Sequence, residues 1–594
     1  MASPQDTNDR AARPLPTAPT TLSRWFPIAE WLPKYQWNRL FRADLIAAVS
    51  VAALVIPESM GLATVAGVPV QIGLYAAPLA LIGYAMFGGS KLLVFAVSGS
   101  VAAVSASVVG ELSAGDQDTA VALTAALALT TGAVFIVAGL ARLGFVANFM
   151  SNAVMTGFII GLSIQIIIGQ LGELLGIEQS GGSSVTKLWS AISQIGDWNP
   201  VAVIMGVGAL VLMLGLKRFA PKLPGALIAV VASSLIVAIF DPDLELVAAI
   251  PQGIPSISLP TGIDASTWGE LLLGGAVVAL VAFSEGWGTS QTLASRTHVQ
   301  LNANQEFRAY GVGNIGAGLL GGMVVTGSLG KSIAAEEDGA KTQMSNIILA
   351  GIVLLTLALL APAFQWLPEA VLAAIVIDAM LDSASLRKLN HLWGVDKVDY
   401  TLGLVTMVLV LALDLLPAIV AGIVLSIVYM VYRISFPGRA LLGRVPETGD
   451  YVVRHWLYGR RHGEANPHAQ AVPGVLVYRF AGPLVFSNAE AFGTTGQAFL
   501  VTAGERGELP HTVVIDFEEV LAVDVTGAAA LQSFIEYAAR YGVNVTLARV
   551  HSGTRELLGR SGVLDEIGED RLFATVRGAV DAATTGQEGG AGAT

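Results

Sequence analysis

Between residues 44 and 434 the apolar positions do not alternate or recur at helical spacing on one face. They fill continuous runs of about 20 residues, the length that crosses a hydrocarbon core as a helix. Fourteen segments are expected: 44–62, 70–88, 93–110, 119–140, 148–171, 200–216, 224–240, 269–285, 308–324, 328–340, 344–362, 368–382, 398–413 and 415–433. Several are short or interrupted by Pro or Gly. From 472 to 585 the pattern changes to short β-rich runs (Val475 to Phe480, Val513 to Phe517, Val543 to Ala548) separated by helical stretches, which predicts a small α/β domain. Residues 1–43 form an N-terminal cytoplasmic segment, disordered over its first 22 residues, 435–471 a basic linker and 586–594 a loose tail.

Composition agrees with a polytopic membrane protein: of 594 residues 54% are hydrophobic and 13% charged, and 66 glycines suit closely packed helices. The absence of cysteine excludes disulfides, thiolate metal sites and cysteine catalysis. From residue 470 onward 15 acidic residues stand against 8 basic ones, so the tail supplies −7 of the net −12 and the acidity says nothing about a bound species. Charge between the segments alternates. One set of loops carries Lys91, Arg142, Lys217, Arg218, Lys222, Arg296, Arg308, Lys341, Arg387, Lys388 and Lys397, and the other carries mostly Asp and Glu. With Arg24, Lys34, Arg39 and Arg42 before the first segment, the positive-inside rule places both termini in the cytoplasm of a multi-pass protein of the cell membrane.

Two offsets point to an internal repeat. Glu58 and Glu285 lie 227 residues apart, each with Gly three positions on, and Val97-Ser98-Gly99-Ser100 lies 228 residues before Val325-Thr326-Gly327-Ser328. Two halves of seven segments must then be inverted in the membrane, the sequence pointer to a transporter whose site lies between two broken helices. A helix that starts inside the bilayer turns unpartnered N–H groups and a positive dipole end toward its surroundings, so Ser98 to Ser100 and Thr326 to Ser328 are candidate anion contacts; alone, either triplet could equally be helix packing. Lys331 adds a full charge whose burial costs at least about 2.5 kcal/mol, which favours function. Glu58 and Glu285 are candidate proton carriers, with pairing to Lys331 or to a neighbouring backbone as the structural alternative. Gly330-Lys331-Ser332 is not a nucleotide-phosphate loop, because the pattern needs Gly where Val325 stands and a preceding strand in a soluble domain.

Pro57-Glu58-Ser59-Met60-Gly61-Leu62-Ala63, Gly73-Leu74-Tyr75 and Phe87-Gly88-Gly89-Ser90-Lys91 resemble the first-helix signature region of the sulfate permease (SulP)/prestin family. Asn304-Gln305-Glu306, Gly313-Asn314-Ile315, Thr326-Gly327-Ser328 and Gly339-Ala340-Lys341-Thr342-Gln343 are similar to its eighth-to-tenth-helix region, and 472–585 resembles the family's STAS domain. The resemblance implies a uracil-permease-like membrane domain of seven plus seven inverted helices, a core moving against a gate, a homodimer, and anion transport without enzymatic chemistry or cofactor. It assigns anion contact to Ser328 and Lys331, where Arg is common, and cation coupling to Glu285; Glu58 stands where Gln is common. Ser100 replaces a usual proline, Gly330 a hydroxyl residue and Ala335 an Asn. Asp524 and Thr526 match a loop phosphorylated in some related soluble domains, or form a plain helix cap. Proton-coupled symport of sulfate is the leading expectation, with sodium-coupled bicarbonate transport, proton-coupled dicarboxylate transport, anion exchange or a channel-like protein as alternatives. The expected partners are a small anion, a proton or sodium ion, lipid, a second copy and a cytoplasmic partner of the STAS domain, with no metal and no nucleic acid.

Overall fold

The computed structural model describes residues 25–145, 151–179, 182–221, 223–297, 299–413, 415–458 and 465–588. The expectations for residues 1–24, 148–150 and 589–594, and for Lys222, Asp414, Arg460 and Arg461, lie outside the described residues. The chain forms two compact units, Met1–Ser426 and Ile427–Thr594.

The first unit is helical: α1 Ile28–Trp31, α2 Trp37–Val65, α3 Val70–Tyr75, α4 Ala77–Phe87, α5 Gly99–Ser113, α6 Gln117–Leu140, α7 Asn152–Gly169, α8 Leu171–Leu175, α9 Ser184–Ser193, α10 Pro200–Phe219 and α11 Gly225–Phe240. After them come α12 Ala265–Thr297, α13 Ala303–Leu319, α14 Leu329–Glu337, α15 Met344–Leu355, α16 Glu369–Ser383, α17 Leu386–Val395, α18 Lys397–Ala412 and α19 Leu415–Ser435, inside which the division between the units falls. Each of the fourteen expected segments contains helix. Among the described residues eight helices are long and apolar enough to cross a membrane. Helices such as α10 and α19 bury little of their apolar surface and leave Ile204, Val211, Val424 and Val428 exposed, a belt that hydrocarbon rather than water must cover.

Two short strands, β1 Val94–Ala96 and β2 Thr326–Ser328, pair antiparallel in the middle of this unit, with Phe95 opposite Gly327. The expected segment 328–340 is therefore a nine-residue helix, α14, that begins where the strand ends. At 1.5 Å per residue it reaches only about halfway through a bilayer. Structure also begins before residue 44: the buried Asp44 of α2 accepts hydrogen bonds from the Tyr35 hydroxyl, the Lys341 and Thr342 N–H groups and the Thr342 hydroxyl, tying residues 35–44 to the turn after α14.

The second unit contains a six-stranded sheet of order β4-β3-β5-β6-β7-β8: β3 Gly438–Arg444, β4 Tyr451–Tyr458, β5 Val475–Ala481, β6 Thr512–Asp516, β7 Asn544–Ala548 and β8 Leu572–Phe573. β5 to β8 run parallel, and β3 is antiparallel to both β4 and β5. Helices α20 Ala489–Glu505, α21 Val525–Arg540, α22 Ser552–Arg560, α23 Val563–Ile567 and α24 Val576–Glu588 complete it. The three expected β-rich runs are β5, β6 and β7. The stretch expected as a basic linker, 435–471, holds β3 and β4 instead. Arg439 and Arg444 sit on a strand whose Gly438, Ala440, Leu442 and Gly443 are buried, so the arginines mask a half-buried strand pattern.

Candidate functional site

The β1–β2 ribbon brings the two expected helix starts together. Two residues past β1, Ser98 occupies the cap of α5, its hydroxyl accepting from the Val101 N–H at 3.5 Å; Ser328, the last residue of β2, occupies the cap position of α14 with no side-chain cap bond. The caps lie 230 residues apart, two more than the sequence offset, so Ser98 corresponds in place to Ser328 rather than to Thr326. Thr326 is fully buried and donates its hydroxyl to the Ala282 carbonyl of α12 at 2.5 Å, which fixes β2 to that helix.

Lys331 stands one turn into the short helix, with its side chain 3% exposed. Its ammonium donates to Glu58 Oε1 at 2.7 Å and to the Val97 carbonyl at 2.9 Å, so helix α2 and the end of β1 supply the partners. An ammonium carries three N–H groups, and these contacts use two. Of the two alternatives for Glu58, the pairing with Lys331 is the one present in this geometry. Glu285, from α12, accepts from the Ser98 hydroxyl at 3.0 Å and from the Ser100 hydroxyl. The hydroxyls expected to face an anion thus face a carboxylate, because a half-buried carboxylate in an apolar helix requires donors and these two lie within reach. Gly99 and Gly327 admit close packing: a methyl on Gly99 would lie 2.6 Å from Met380 Cε, and one on Gly327 2.8 Å from the Leu93 side chain.

A cavity of about 540 Å³ opens beside this cluster, with Glu285, Ser284, Thr289 and Leu329 on one side and Asn152, Thr156, Ser383 and Lys388 among its other lining residues. A methyl added at Gly330 would meet no atom within 4 Å, so the missing hydroxyl leaves space beside Leu329. Glu58, Glu285, Lys331, Ser98, Ser100 and Thr326 form one connected constellation. Asp524 and Thr526 belong to the second unit. There the Asp524 carboxylate accepts from the Gly527 and Phe486 N–H groups, each at 2.7 Å, and caps α21, leaving Thr526 exposed in its first turn.

Two supporting residues were named in the sequence only within motifs, without a role. Ser332 accepts from the Val94 N–H at 2.8 Å and donates to the Ser328 carbonyl at 2.6 Å, joining β1 to the start of α14. Asn314, fully buried in α13, accepts from the Val325 N–H at 2.9 Å and donates to the Val325 and Tyr310 carbonyls, acting as a side-chain partner for the chain just before β2. The signal for Asn314 was an amide in an otherwise apolar run; for Ser332 there was none beyond its place after Lys331. No group of three or more His, Cys, Asp or Glu able to hold a metal occurs among the described residues.

Comparison with known proteins agrees with this architecture. Residues 41–406 match the Sulfate permease family and 466–579 the STAS domain. The chain is 33% identical over 567 residues to the probable sulfate transporter Rv1739c of Mycobacterium tuberculosis (strain ATCC 25618 / H37Rv), covering 95% of this chain and 98% of the relative. It is 27% identical over 573 residues to the chloroplastic sulfate transporter 4.1 of Arabidopsis thaliana, covering 93% and 82%. The inward-facing structure of murine solute carrier 26 family member A9 superposes with a TM-score of 0.84 at 22% identity, covering 97% of each chain. The transmembrane domain of the cyanobacterial bicarbonate transporter BicA gives 0.59 at 25% identity, covering 65% of this chain and 98% of that one. With a family match across most of its helical unit and a relative aligned over nearly its full length, this chain belongs to the sulfate permease family of anion transporters and carries its STAS domain.

Proposed function

We propose that the chain is a secondary active transporter that carries small anions, sulfate foremost, into the cell together with protons by alternating access. The observation that carries this reading is the Lys331–Glu58 contact at 2.7 Å. An anion needs the ammonium, and Glu58 holds it. With both carboxylates ionised, Lys331, Glu58 and Glu285 sum to −1, a field that repels sulfate. A proton on Glu58 removes its claim on Lys331 and brings the sum to zero, so proton and anion bind together. The third N–H of Lys331, the helix starts after β1 and β2, and Ser328 then face the substrate, with Glu285 holding Ser98 and Ser100 in place. The acid that releases Lys331 and the cation that takes the anion lie on different helices.

The remaining features belong to the same proposal: a cell-membrane homodimer with both termini cytoplasmic, fourteen segments in two inverted halves, and a STAS domain that meets a cytoplasmic partner, with Thr526 open to modification. The domain division is 44–434 for transport and, given β3 and β4, about 437–588 for the STAS unit. The likeness to BicA supports a second reading, sodium-coupled bicarbonate transport. Radiolabelled sulfate uptake into proteoliposomes separates the two. An acid-outside gradient should drive accumulation that a protonophore abolishes, and Glu58→Gln should retain exchange but lose gradient-driven accumulation. Uptake indifferent to pH and driven by sodium overturns the proton reading, and labelled bicarbonate entering the same proteoliposomes while sulfate is not taken up overturns the substrate.

A further inference from the structure

Helix α9 carries its two faces the wrong way round for a helix in water. Val185, Leu188, Trp189 and Ile192 recur at spacings of three and four and so share one face, and that face points away from the protein: Val185 is 73%, Trp189 69% and Ile192 55% exposed. The opposite face is made of small residues, and it is the buried one, with Ser184, Ser190 and Ala191 at 6% exposure or less where α9 packs against α7, α8 and α18. Two side chains fasten it there. Gln194 donates its amide to the Ser190 hydroxyl at 2.6 Å, and the Trp198 indole N–H donates to the Ala191 carbonyl at 3.0 Å. The protein therefore holds α9 by its small residues and turns four large apolar ones outward, which is unfavourable against water.

We propose that α9 is an interfacial helix whose outward face docks into the lipid leaflet beside the start of α10, at the boundary between headgroups and acyl chains, and so fixes the depth at which α7 and α10 sit. Lipid is selected as the occupant by continuity and by size. Ile195, 66% exposed, follows α9, and five residues later α10 begins, with Ile204, Val207 and Val211 exposed along it, so the apolar surface runs on into the hydrocarbon belt. At 1.5 Å per residue the helix is about 15 Å long, too short to cross a bilayer but long enough to lie on one. A face of that length and about 10 Å wide is far below the roughly 800 Å² per partner that a stable contact with a second copy requires. Trp189 suits this depth, because an indole places an apolar ring among the acyl chains and its N–H among the headgroups.

The chain has no cysteine, so nitroxide labels can be placed one at a time on the full-length protein in liposomes. Trp189→Cys and Ile192→Cys are compared with Val211→Cys on α10, as the hydrocarbon reference, and with Asp197→Cys, at an exposed position, as the aqueous one. Molecular oxygen, which concentrates among acyl chains, and a water-soluble nickel chelate relax the labels. The ratio of oxygen to nickel accessibility at 189 and 192 should exceed that at 197 several-fold and stay below that at 211, which corresponds to a depth of about 5–10 Å. A ratio equal to that at 197 leaves the face in water, and a ratio equal to that at 211 puts it in the hydrocarbon core. Labels shielded from both reagents and broadened by a neighbouring label show a second copy on it. Each of these overturns the proposal. A second measurement uses the native side chain. Lipids brominated high on the acyl chain should quench wild-type tryptophan fluorescence more than that of Trp189→Phe, and equal quenching overturns the proposal without any label on the helix.

Discussion

Lys331 is held by one carboxylate and one carbonyl from two different elements, so its removal and the removal of Glu58 have unequal consequences. Lys331→Met leaves Glu58 facing an apolar wall without its cation. Breaking a buried pair from one side costs about 3–5 kcal/mol, and the partial exposure of Glu58, 20%, puts the expected loss at the lower end. Thermal unfolding in detergent should therefore show Lys331→Met less stable than the double variant Glu58→Gln/Lys331→Met, while both lose sulfate uptake at least about 100-fold. Equal stability of the two would mean that the pair does not hold in solution. The three charged residues were legible in the sequence because ionisable groups are expensive in an apolar helix. Their partners were not. Whether Ser98 and Ser100 serve an anion or Glu285 depends on which helix lies opposite, and Glu285 lies 185 positions along the chain from Ser100.

At the scale of elements the site depends on a ribbon of three residue pairs, too short to persist without side-chain support. Asn314 supplies that support to Val325, the residue before β2. Asn314→Leu would orphan a buried N–H and weaken the partner of a carbonyl, each costing about 1–3 kcal/mol. The expected result is a lower unfolding temperature together with a weaker apparent affinity for sulfate, since the start of α14 is what β2 positions. A fall in stability with affinity unchanged would assign Asn314 to packing alone. The helix starts themselves were legible from repeated Val, hydroxyl and Gly positions. Their register was not, because the helices begin at caps 98 and 328, an offset that the short motifs miss by two. Caps outside the bilayer have a simpler chemistry. The Thr119 hydroxyl and N–H hold Asp116 below the usual carboxylate range at the start of α6. A depressed acid stabilises above its unfolded value, about 3.9, and loses that contribution as the pH falls through its folded value. The protection of the Thr119 amide, its exchange rate relative to the intrinsic rate at the same pH, should fall below about pH 4 and stay level between pH 5 and 8.

For the whole molecule the decisive boundary is where the second unit begins. Its apolar core was legible as three β-rich runs, but β3 and β4 were concealed by six arginines between 433 and 461 that a charge count reads as a solvated linker. In the sheet, β3 pairs with β5 from Gly438–Ala481 to Leu442–Val477, and Leu442 joins Val475, Val477 and Val514 in a small core beneath α24. On the other side of β5, the buried Asp516 is held by Arg479 at 2.7 Å and by Arg549 at 2.6 Å, so the parallel strands have a charged clasp of their own. A fragment spanning 437–588 contains every strand of the sheet. One that begins at 472 keeps the clasp but exposes β5 as an edge whose alternate residues are apolar, a template for pairing with another chain. The longer fragment should therefore be monomeric and unfold cooperatively in urea, whereas the shorter one should self-associate or unfold at a lower urea concentration. Light scattering and circular dichroism measure both. If the two behave alike, β3 and β4 are an appendage, and the transport unit's last helix connects to its STAS domain through a linker after all.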